Sequence, residues 1–244
     1  MRIAILSDIH ANIWALEAVL ADIKRQGADL IVNAGDILSG PLAPAATADL
    51  LMSLALPTIA GNHERQLLAC ATKTGHPTDQ FAFENTTQAQ RDWIQGLPGT
   101  LNVAENVFMC HGTPVSDLIY FLESVDQHGC HMAADSQIET HAAGVSQQLI
   151  ICGHSHKPRV CAVSGGRLVV NPGSVGLQAY DDDLPYFHVI ENGSPHARYA
   201  ICEKDTYGWS VNHRCITYDH HKAAAEAAKN GRADWASWLV TGRA

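Results

Sequence analysis

Five short blocks of metal-binding side chains occur in a fixed order along the first two thirds of this sequence. They read Asp8-Ile9-His10, Gly35-Asp36, Gly61-Asn62-His63-Glu64, His111-Gly112 and Gly153-His154-Ser155-His156. Each block follows an apolar run that is typical of a β-strand, so each side chain is expected where a strand ends and a loop begins. Functional groups concentrate at such positions.

The blocks differ in how specifically they indicate a metal ion. Positions i and i+2 of an extended backbone face the same side, so Asp8 and His10 could share one cation. Taken alone, however, Asp8 could equally cap the following helix while His10 lies on the surface, and Asp36 alone is typical of a turn. The pair His154 and His156 is a stronger indication, because two imidazoles recur at this spacing after an apolar strand.

Considered together, the candidate ligands are too many for a single cation. The set has two carboxylates, one amide and four imidazoles, namely Asp8, His10, Asp36, Asn62, His111, His154 and His156. Two divalent cations that share a carboxylate fit this number. Oxygen and nitrogen ligands without thiolate suit two-metal hydrolysis with manganese, iron, nickel, cobalt, zinc or magnesium and do not discriminate among these metals; manganese is the one we expect.

In this order the blocks resemble the calcineurin-like metallophosphoesterase superfamily, whose pattern is Asp-x-His, Gly-Asp, Gly-Asn-His-Glu/Asp, His and Gly-His-x-His. The stretch Asn171-Pro172-Gly173-Ser174 also resembles a loop of its compact prokaryotic phosphodiesterase-like branch. The resemblance implies an α/β fold, a four-layer α-β-β-α sandwich with two facing mixed sheets. It also implies a dinuclear metal site at the strand ends.

Carried over residue by residue, the resemblance implies two ligand sets that share Asp36. One cation would take Asp8, His10, Asp36 and His156, and the other would take Asp36, Asn62, His111 and His154. A hydroxide activated by the two metals would attack phosphorus. His63 would then protonate the leaving group, a role that suits an imidazole because its pKa lies near neutrality.

One position departs from the superfamily pattern. Many relatives, including the Ser/Thr protein phosphatases, carry Gly-Asp-x-x-Asp, often followed by arginine, but this chain has Ser39 at the last position. In those relatives the aspartate orients the catalytic histidine and the arginine holds phosphate, so activity on phosphoproteins is less expected here. Arg65 is a candidate substitute contact with phosphate, or alternatively a solvated helix residue.

The elements that must position the blocks begin with a β-α-β pattern. We predict strands at Arg2–Leu6, Leu30–Val32 and Thr58–Ala60, separated by helices at Asn12–Arg25 and Ala45–Leu54. Parallel strands follow from this alternation. Further helices are expected near 65–71 and 87–95, strands near 101–103, 107–110 and 149–152, a mostly β region up to 216, and closing helices near 222–230 and 235–239.

Two segments between the blocks are candidates for substrate selection. Residues 73–99 carry Phe81, Phe83 and Trp93, and residues 113–146 carry Tyr120 and Phe121. These aromatic side chains could stack on a nucleobase, but a local core is the favoured interpretation.

Composition fits a folded protein of 244 residues, expected to form one domain over 1–244, with 46% hydrophobic and 17% charged residues. No segment resembles a membrane span or a signal peptide, so we expect a cytoplasmic protein. Seven cysteines without a Cys-x-x-Cys pair predict free thiols. A net charge of −9 gives no indication of nucleic-acid binding.

The sequence therefore predicts a metal-dependent phosphoesterase that acts on a phosphodiester, another small phosphoester or a nucleotide. A phosphoprotein phosphatase and a dinucleoside polyphosphate hydrolase are alternatives within the same chemistry. A binding scaffold that keeps the fold without catalysis is an alternative of another class. Such a scaffold could dispense with ligands and acid, whereas all seven ligand positions and His63 are present here. The sequence gives no indication of the oligomeric state.

Overall fold

The computed structural model describes residues 1–244. The strands are β1 (Arg2–Leu6), β2 (Leu30–Asn33), β3 (Thr100–Ala104), β4 (Val107–Cys110), β5 (Glu123–Asp126), β6 (Gly129–Met132), β7 (Leu149–Ile151), β8 (Arg159–Val163), β9 (Arg167–Asn171), β10 (Ala179–Asp182), β11 (His188–Glu191), β12 (Ala197–Lys204) and β13 (Trp209–Ile216). The helices are α1 (Ile13–Gln26), α2 (Pro44–Leu54), α3 (Asn62–Ala69), α4 (Pro77–Glu84), α5 (Gln88–Gln95), α6 (Asp135–His141), α7 (His220–Lys229) and α8 (Ala233–Thr241).

Two mixed sheets form the centre of the molecule. The first has the order β13-β12-β1-β2, in which β1 and β2 are parallel and the other pairs are antiparallel. The second has the order β3-β4-β7-β9-β8, with β4, β7 and β9 mutually parallel. The pairs β5–β6 and β10–β11 form separate hairpins.

The alternation of side chains along β1 explains how the layers stack. Ile3 and Ile5 point into an apolar layer that also contains Val107, Met109 and Ile151 from the second sheet. Ala4 and Leu6 point the other way and pack with Leu16 and Val19 of α1. On the outer face of the second sheet, Ile138 and Ala142 of the α6 region pack with Ile150 and Val169. The predicted α/β fold with two facing mixed sheets flanked by helices is therefore confirmed.

Several element predictions need correction. Thr58–Ala60 does not form a strand: a single parallel bridge joins Thr58 to Asn33, because the chain turns at Gly61 directly afterwards. No strand or helix is predicted from the sequence between 113 and 146, but this segment contains β5, β6 and α6. Helix α4 and strand β10 were also missed, since neither has enough apolar residues for a clear period.

The structure also bears on the cysteines and on membrane insertion. All seven cysteines are free, and five of them are buried. None of the helices combines the length and the apolar character that crossing a membrane requires.

Candidate metal centre

The candidate ligands lie at the carboxyl ends of parallel strands, where the two sheets meet. Asp8 and His10 follow β1, and Asp36 follows β2 of the same sheet. His111 follows β4 in the opposite sheet, and the loop after β7 carries the remaining two imidazoles, His154 and His156. Asn62 is the first residue of α3. The topology thus brings all seven side chains to one edge of the sandwich.

Five of these residues have a left-handed backbone conformation. The φ angles are 55° at Asp8, 49° at His10, 54° at Asp36, 69° at His154 and 56° at His156. The prediction that an extended backbone directs Asp8 and His10 to the same side is therefore wrong. Tight turns, and not the pleat of a strand, direct these side chains toward one another.

The first cluster contains Asp8, His10 and His156, all buried. The Nε2 atoms of His10 and His156 lie 3.1 Å apart, and Nε2 of His156 lies 3.4 Å from Oδ1 of Asp8. One atom from each side chain falls within 4.8 Å of the others. The three side chains thus converge on a common point that one cation could occupy.

The second cluster contains Asp36, His111 and His154. Nε2 of His111 lies 2.9 Å from Oδ2 of Asp36 and 3.1 Å from Oδ1 of Asn62. The same Nε2 atom lies 4.0 Å from Oδ1 of Asp8, so the two clusters adjoin. All seven predicted ligands are therefore brought together by the fold.

The hydrogen bonds of the imidazoles show whether these clusters suit cations. Nδ1 of His10, of His111 and of His156 each lies 2.8 Å from a backbone carbonyl oxygen. A carbonyl oxygen can only accept, so each Nδ1 carries a proton and each Nε2 faces the cluster, where a neutral ring could offer its lone pair to a cation. The Nε2 atoms of His10 and His156 face each other at 3.1 Å in the first cluster. This donor set fits two divalent cations.

The local electrostatics agree with that fit. Burial and the neighbouring His156 lower the pKa of His10 to about 4, and burial with the charge of His111 lowers the pKa of His154 to about 3. Both rings are therefore neutral at pH 7, the form that binds metal. Burial opposes ionisation of Asp36, but His111 and His63 hold the pKa of that carboxyl well below its usual range.

The Asn-His-Glu turn connects the second cluster to helix α3. Glu64 is buried and its carboxylate accepts hydrogen bonds from the backbone nitrogens of Asp36, Ile37 and Gly61. It therefore holds the loop after β2 against the start of the helix and does not belong to the ligand set. Gly61 is required by close approach, because a Cβ atom there would lie 2.2 Å from Oδ1 of Asp36.

His63 lies beside the clusters and is held by a carboxylate from another helix. Its Nδ1 atom lies 2.8 Å from Oδ1 of Asp79 in α4. Burial disfavours the charged ring, but the charge of Asp36 and the hydrogen bond to Asp79 raise the pKa of His63 to about 9. The imidazole is therefore protonated at neutral pH, and its side chain is 25% exposed.

A cavity of about 1480 Å³ opens over the clusters. Its lining includes six of the candidate site residues, His10, Asp36, Asn62, His63, His154 and His156. Its walls come from the segments 73–79, 118–125 and 180–187 and from α8. Ring contacts on two walls place Tyr120 against His154 and Tyr180 against His156, each with centroids 4.7 Å apart.

Comparison with known proteins agrees with this geometry. The sequence model of the calcineurin-like phosphoesterase superfamily domain matches residues 1–192. The chain belongs to this superfamily.

Three known proteins are similar to this superfamily member over most of their length. An uncharacterised protein of Methanocaldococcus jannaschii is 26% identical over 263 residues, covering 96% of this chain and 94% of that protein. The crystal structure of a metallophosphoesterase from Sphaerobacter thermophilus has a TM-score of 0.76 at 23% identity and covers 99% of this chain and 100% of that one. The structure of a candidate diadenosine tetraphosphatase has a TM-score of 0.54 at 18% identity, covering 88% and 93%.

The contacts of Arg65 and Ser39 differ from what the superfamily pattern led us to expect. Arg65 forms a bidentate pair with Asp117, with Nη2 2.8 Å from Oδ1 and Nε 3.0 Å from Oδ2, so its guanidinium already has a partner. Ser39 is buried and its hydroxyl donates to Asp79. The sequence patterns gave no indication of Asp79 beyond its place two residues after Pro77, a residue typical of a helix start.

The aromatic side chains between the blocks divide into two groups. Phe83 and Trp93 pack against the core on the α1 side of the first sheet, and Phe121 is buried beside the second sheet. The interpretation as local core is right for these three. Tyr120 instead lines the cavity, where its hydroxyl lies 2.7 Å from that of Tyr180.

Proposed function

We propose that this protein is a metal-dependent phosphoesterase that hydrolyses a phosphodiester, another small phosphoester or a nucleotide. One observation carries the proposal: two adjoining His/Asp clusters border one cavity beside an imidazole, that of His63, which belongs to neither cluster and is held by Asp79. Phosphoester hydrolysis requires these two functions, charge neutralisation at the phosphoryl oxygens and proton donation to the leaving oxygen.

The proposed ligand sets are those implied by the superfamily pattern. Asp8, His10, Asp36 and His156 would hold one cation, and Asp36, Asn62, His111 and His154 the other. When bound, two divalent cations would neutralise phosphoryl charge and acidify a water molecule. Asp36 is proposed as the shared ligand, because its Oδ2 lies 2.9 Å from Nε2 of His111 and its charge also acts on His10 of the first cluster.

His63 is proposed as the general acid. Its Nδ1 atom is engaged with Asp79, so Nε2 is the nitrogen that can donate a proton to a leaving oxygen. The main-chain hydrogen bond from His63 to Asp36 fixes the distance between the acid and the clusters. After donation, the hydrogen bond to Asp79 would favour return of a proton to the ring.

The cavity favours a substrate larger than a simple phosphate ester. Its volume of about 1480 Å³ exceeds the roughly 300–1,000 Å³ of usual small-molecule sites. Lys73 lines it and could contact a phosphate oxygen, whereas the guanidinium of Arg232 is already paired with Asp234 through Nε and Nη2. The exposed acidic run 181–183 also lines it and would disfavour long polyanions.

The same volume favours a second candidate within this chemistry, a dinucleoside polyphosphate hydrolase. Such a substrate carries two nucleosides, and the aromatic walls at Tyr120 and Tyr180 could contact one of them. The likeness in fold to a candidate diadenosine tetraphosphatase leads to the same test.

The decisive experiment is a turnover screen of the purified protein across several divalent metals. We would compare phosphomonoesters, phosphodiesters, nucleotides and dinucleoside polyphosphates, using the wild type, His63→Ala and a control variant, His128→Ala, at an exposed histidine. We expect metal-dependent turnover of one ester class. His63→Ala should lose about 10²- to 10⁴-fold on a poor leaving group while keeping its metals.

Two results would contradict the proposal. Absence of turnover on every ester with metals bound would favour the binding scaffold. Unchanged activity of His63→Ala on a poor leaving group would remove His63 from the role of acid.

A further inference from the structure

We propose that Asp79 is the positioning residue of His63 and that Ser39 fixes Asp79 in turn. The carboxylate that relatives carry three positions after Gly-Asp is thus supplied here from a helix 40 positions downstream of Ser39. The inference rests on the proposed role of His63 as general acid.

The contacts at Asp79 form a directed chain. Nδ1 of His63 donates to Oδ1 of Asp79 at 2.8 Å, and the Ser39 hydroxyl donates to the same oxygen. Asp79 is 1% exposed, so water does not compete for these hydrogen bonds. Oδ1 of Asp79 therefore accepts two hydrogen bonds. The bond from His63 orients the imidazole ring and keeps a proton on Nδ1, the nitrogen that faces α4.

Orientation matters because an unsupported imidazole has two tautomers and can flip its ring. An acceptor at Nδ1 selects the form that holds the proton there and directs Nε2 away from the acceptor. His63 lines the cavity, and Nε2 is the ring nitrogen that remains free for a group bound there. Asp79 would thus act on the leaving group through His63 and would touch no substrate atom itself.

The fold holds Asp79 firmly enough for this role. Asp79 lies in the first turn of α4, and Pro77 begins that helix. One turn further on, Ala82 is fully buried in the core cluster that contains Leu67 of α3, the helix that carries His63. The donor and the acceptor therefore sit on two helices that are packed into the same core.

Kinetics of a double-mutant cycle test the coupling between the two residues. We expect Asp79→Asn to lower turnover of an ester with an alkyl leaving group about 100-fold, and turnover of a p-nitrophenyl ester much less, because a good leaving group needs little protonation. In the His63→Ala background the same substitution should have almost no further effect. Glu84→Gln, at an exposed carboxylate of the same helix, is the matched control.

A proton NMR experiment on the zinc-loaded protein tests the contact without turnover. A hydrogen-bonded Nδ1 proton of His63 should give a downfield line, assigned by its absence in His63→Ala. We expect the line to persist in Glu84→Gln and to disappear or shift in Asp79→Asn. Circular dichroism and metal content of each variant would establish that it is folded and loaded.

The outcomes separate this inference from the proposed function. An equal loss on both esters, a loss that persists in the His63→Ala background, or a downfield line that Asp79→Asn leaves unchanged would overturn the positioning role. If no ester is turned over but the line responds as expected, the contact stands as an orienting device and the assigned reaction fails.

Discussion

The carboxylate of Glu64 accepts a hydrogen bond from the backbone nitrogen of Asp36 at 2.9 Å, although the residues are 28 positions apart. The same side chain accepts from the backbone nitrogens of Ile37 and Gly61, both at 2.7 Å. One acidic side chain thus joins the loop that carries the proposed shared ligand to the turn that carries Asn62.

This relationship predicts the effect of Glu64→Gln. A carboxamide has one accepting oxygen where the carboxylate has two, so at least one backbone N–H loses its partner in a buried position. We expect the free energy of unfolding of the metal-free protein to fall by about 1–3 kcal/mol, measured by urea denaturation. Glu105→Gln, at an exposed turn, should change it little, and an equal effect of the two substitutions would contradict the assignment.

Gly61→Ala should weaken metal binding through steric contact alone. The φ of Gly61 is −94°, so alanine adds no backbone strain, but its Cβ atom would lie 2.2 Å from Oδ1 of Asp36. We expect metal affinity to fall about 10- to 100-fold in competition with a chelator. Gly99→Ala meets no atom within 4 Å and is the control. Equal affinities in the two variants would show that Asp36 can move without cost.

Metal content distinguishes the shared ligand from the others. After supplementation with manganese, the wild type should bind about two equivalents by elemental analysis. His10→Ala removes a ligand from one set only and should retain about one equivalent, whereas Asp36→Ala removes a ligand from both sets and should retain less. If Asp36→Ala holds as much metal as His10→Ala, the carboxylate is not shared.

Stability should depend on pH through Asp22, far from the metal centre. Burial opposes its ionisation, but hydrogen bonds from Tyr199, Arg25 and Arg214 lower its pKa below the usual value. A carboxyl with a lowered pKa contributes stability above its unfolded pKa of about 3.9, and this contribution is lost as pH falls through the folded pKa.

We therefore expect Asp22→Asn to lower the free energy of unfolding by about 1–3 kcal/mol at pH 7. The difference from the wild type should shrink as the pH falls below about 3.9, because the unfolded carboxyl then takes up a proton. The difference should vanish below the lowered pKa of the folded state, where the folded carboxyl is protonated too. Glu17→Gln, on the exposed face of the same helix, should show no such trend. Urea denaturation at several pH values is the measurement, and a constant difference between pH 7 and pH 3 would refute the linkage.

The ligand blocks were predictable from sequence because each is local and follows an apolar strand. A predicted strand directly precedes each of three ligands, Asp8, Asp36 and His111. Parallel pairing within each sheet then places the carboxyl ends of neighbouring strands side by side. The backbone at these positions was not predictable, since spacing alone does not show whether a turn is left-handed. The extended geometry assumed for Asp8 and His10 was wrong for that reason.

The contact between His63 and Asp79 could not be predicted from local sequence patterns, for a different reason. It joins residues 16 positions apart on two helices, and α4 has too weak an apolar period to be recognised. The departure at Ser39 indicated that a carboxylate was missing, but its replacement became visible only when the packing of α3 and α4 was known.

The left-handed turns at the proposed ligands have a consequence for how such a chain would diverge. A residue with a side chain costs about 1–3 kcal/mol in this conformation, and glycine removes most of that cost. A related protein that no longer catalyses the reaction could therefore become more stable if glycine replaced Asp8, Asp36 or His156. The sequence of these turns would then change before that of the core. In this chain all five positions carry a side chain that could bind a cation, at a cost in stability that glycine would avoid.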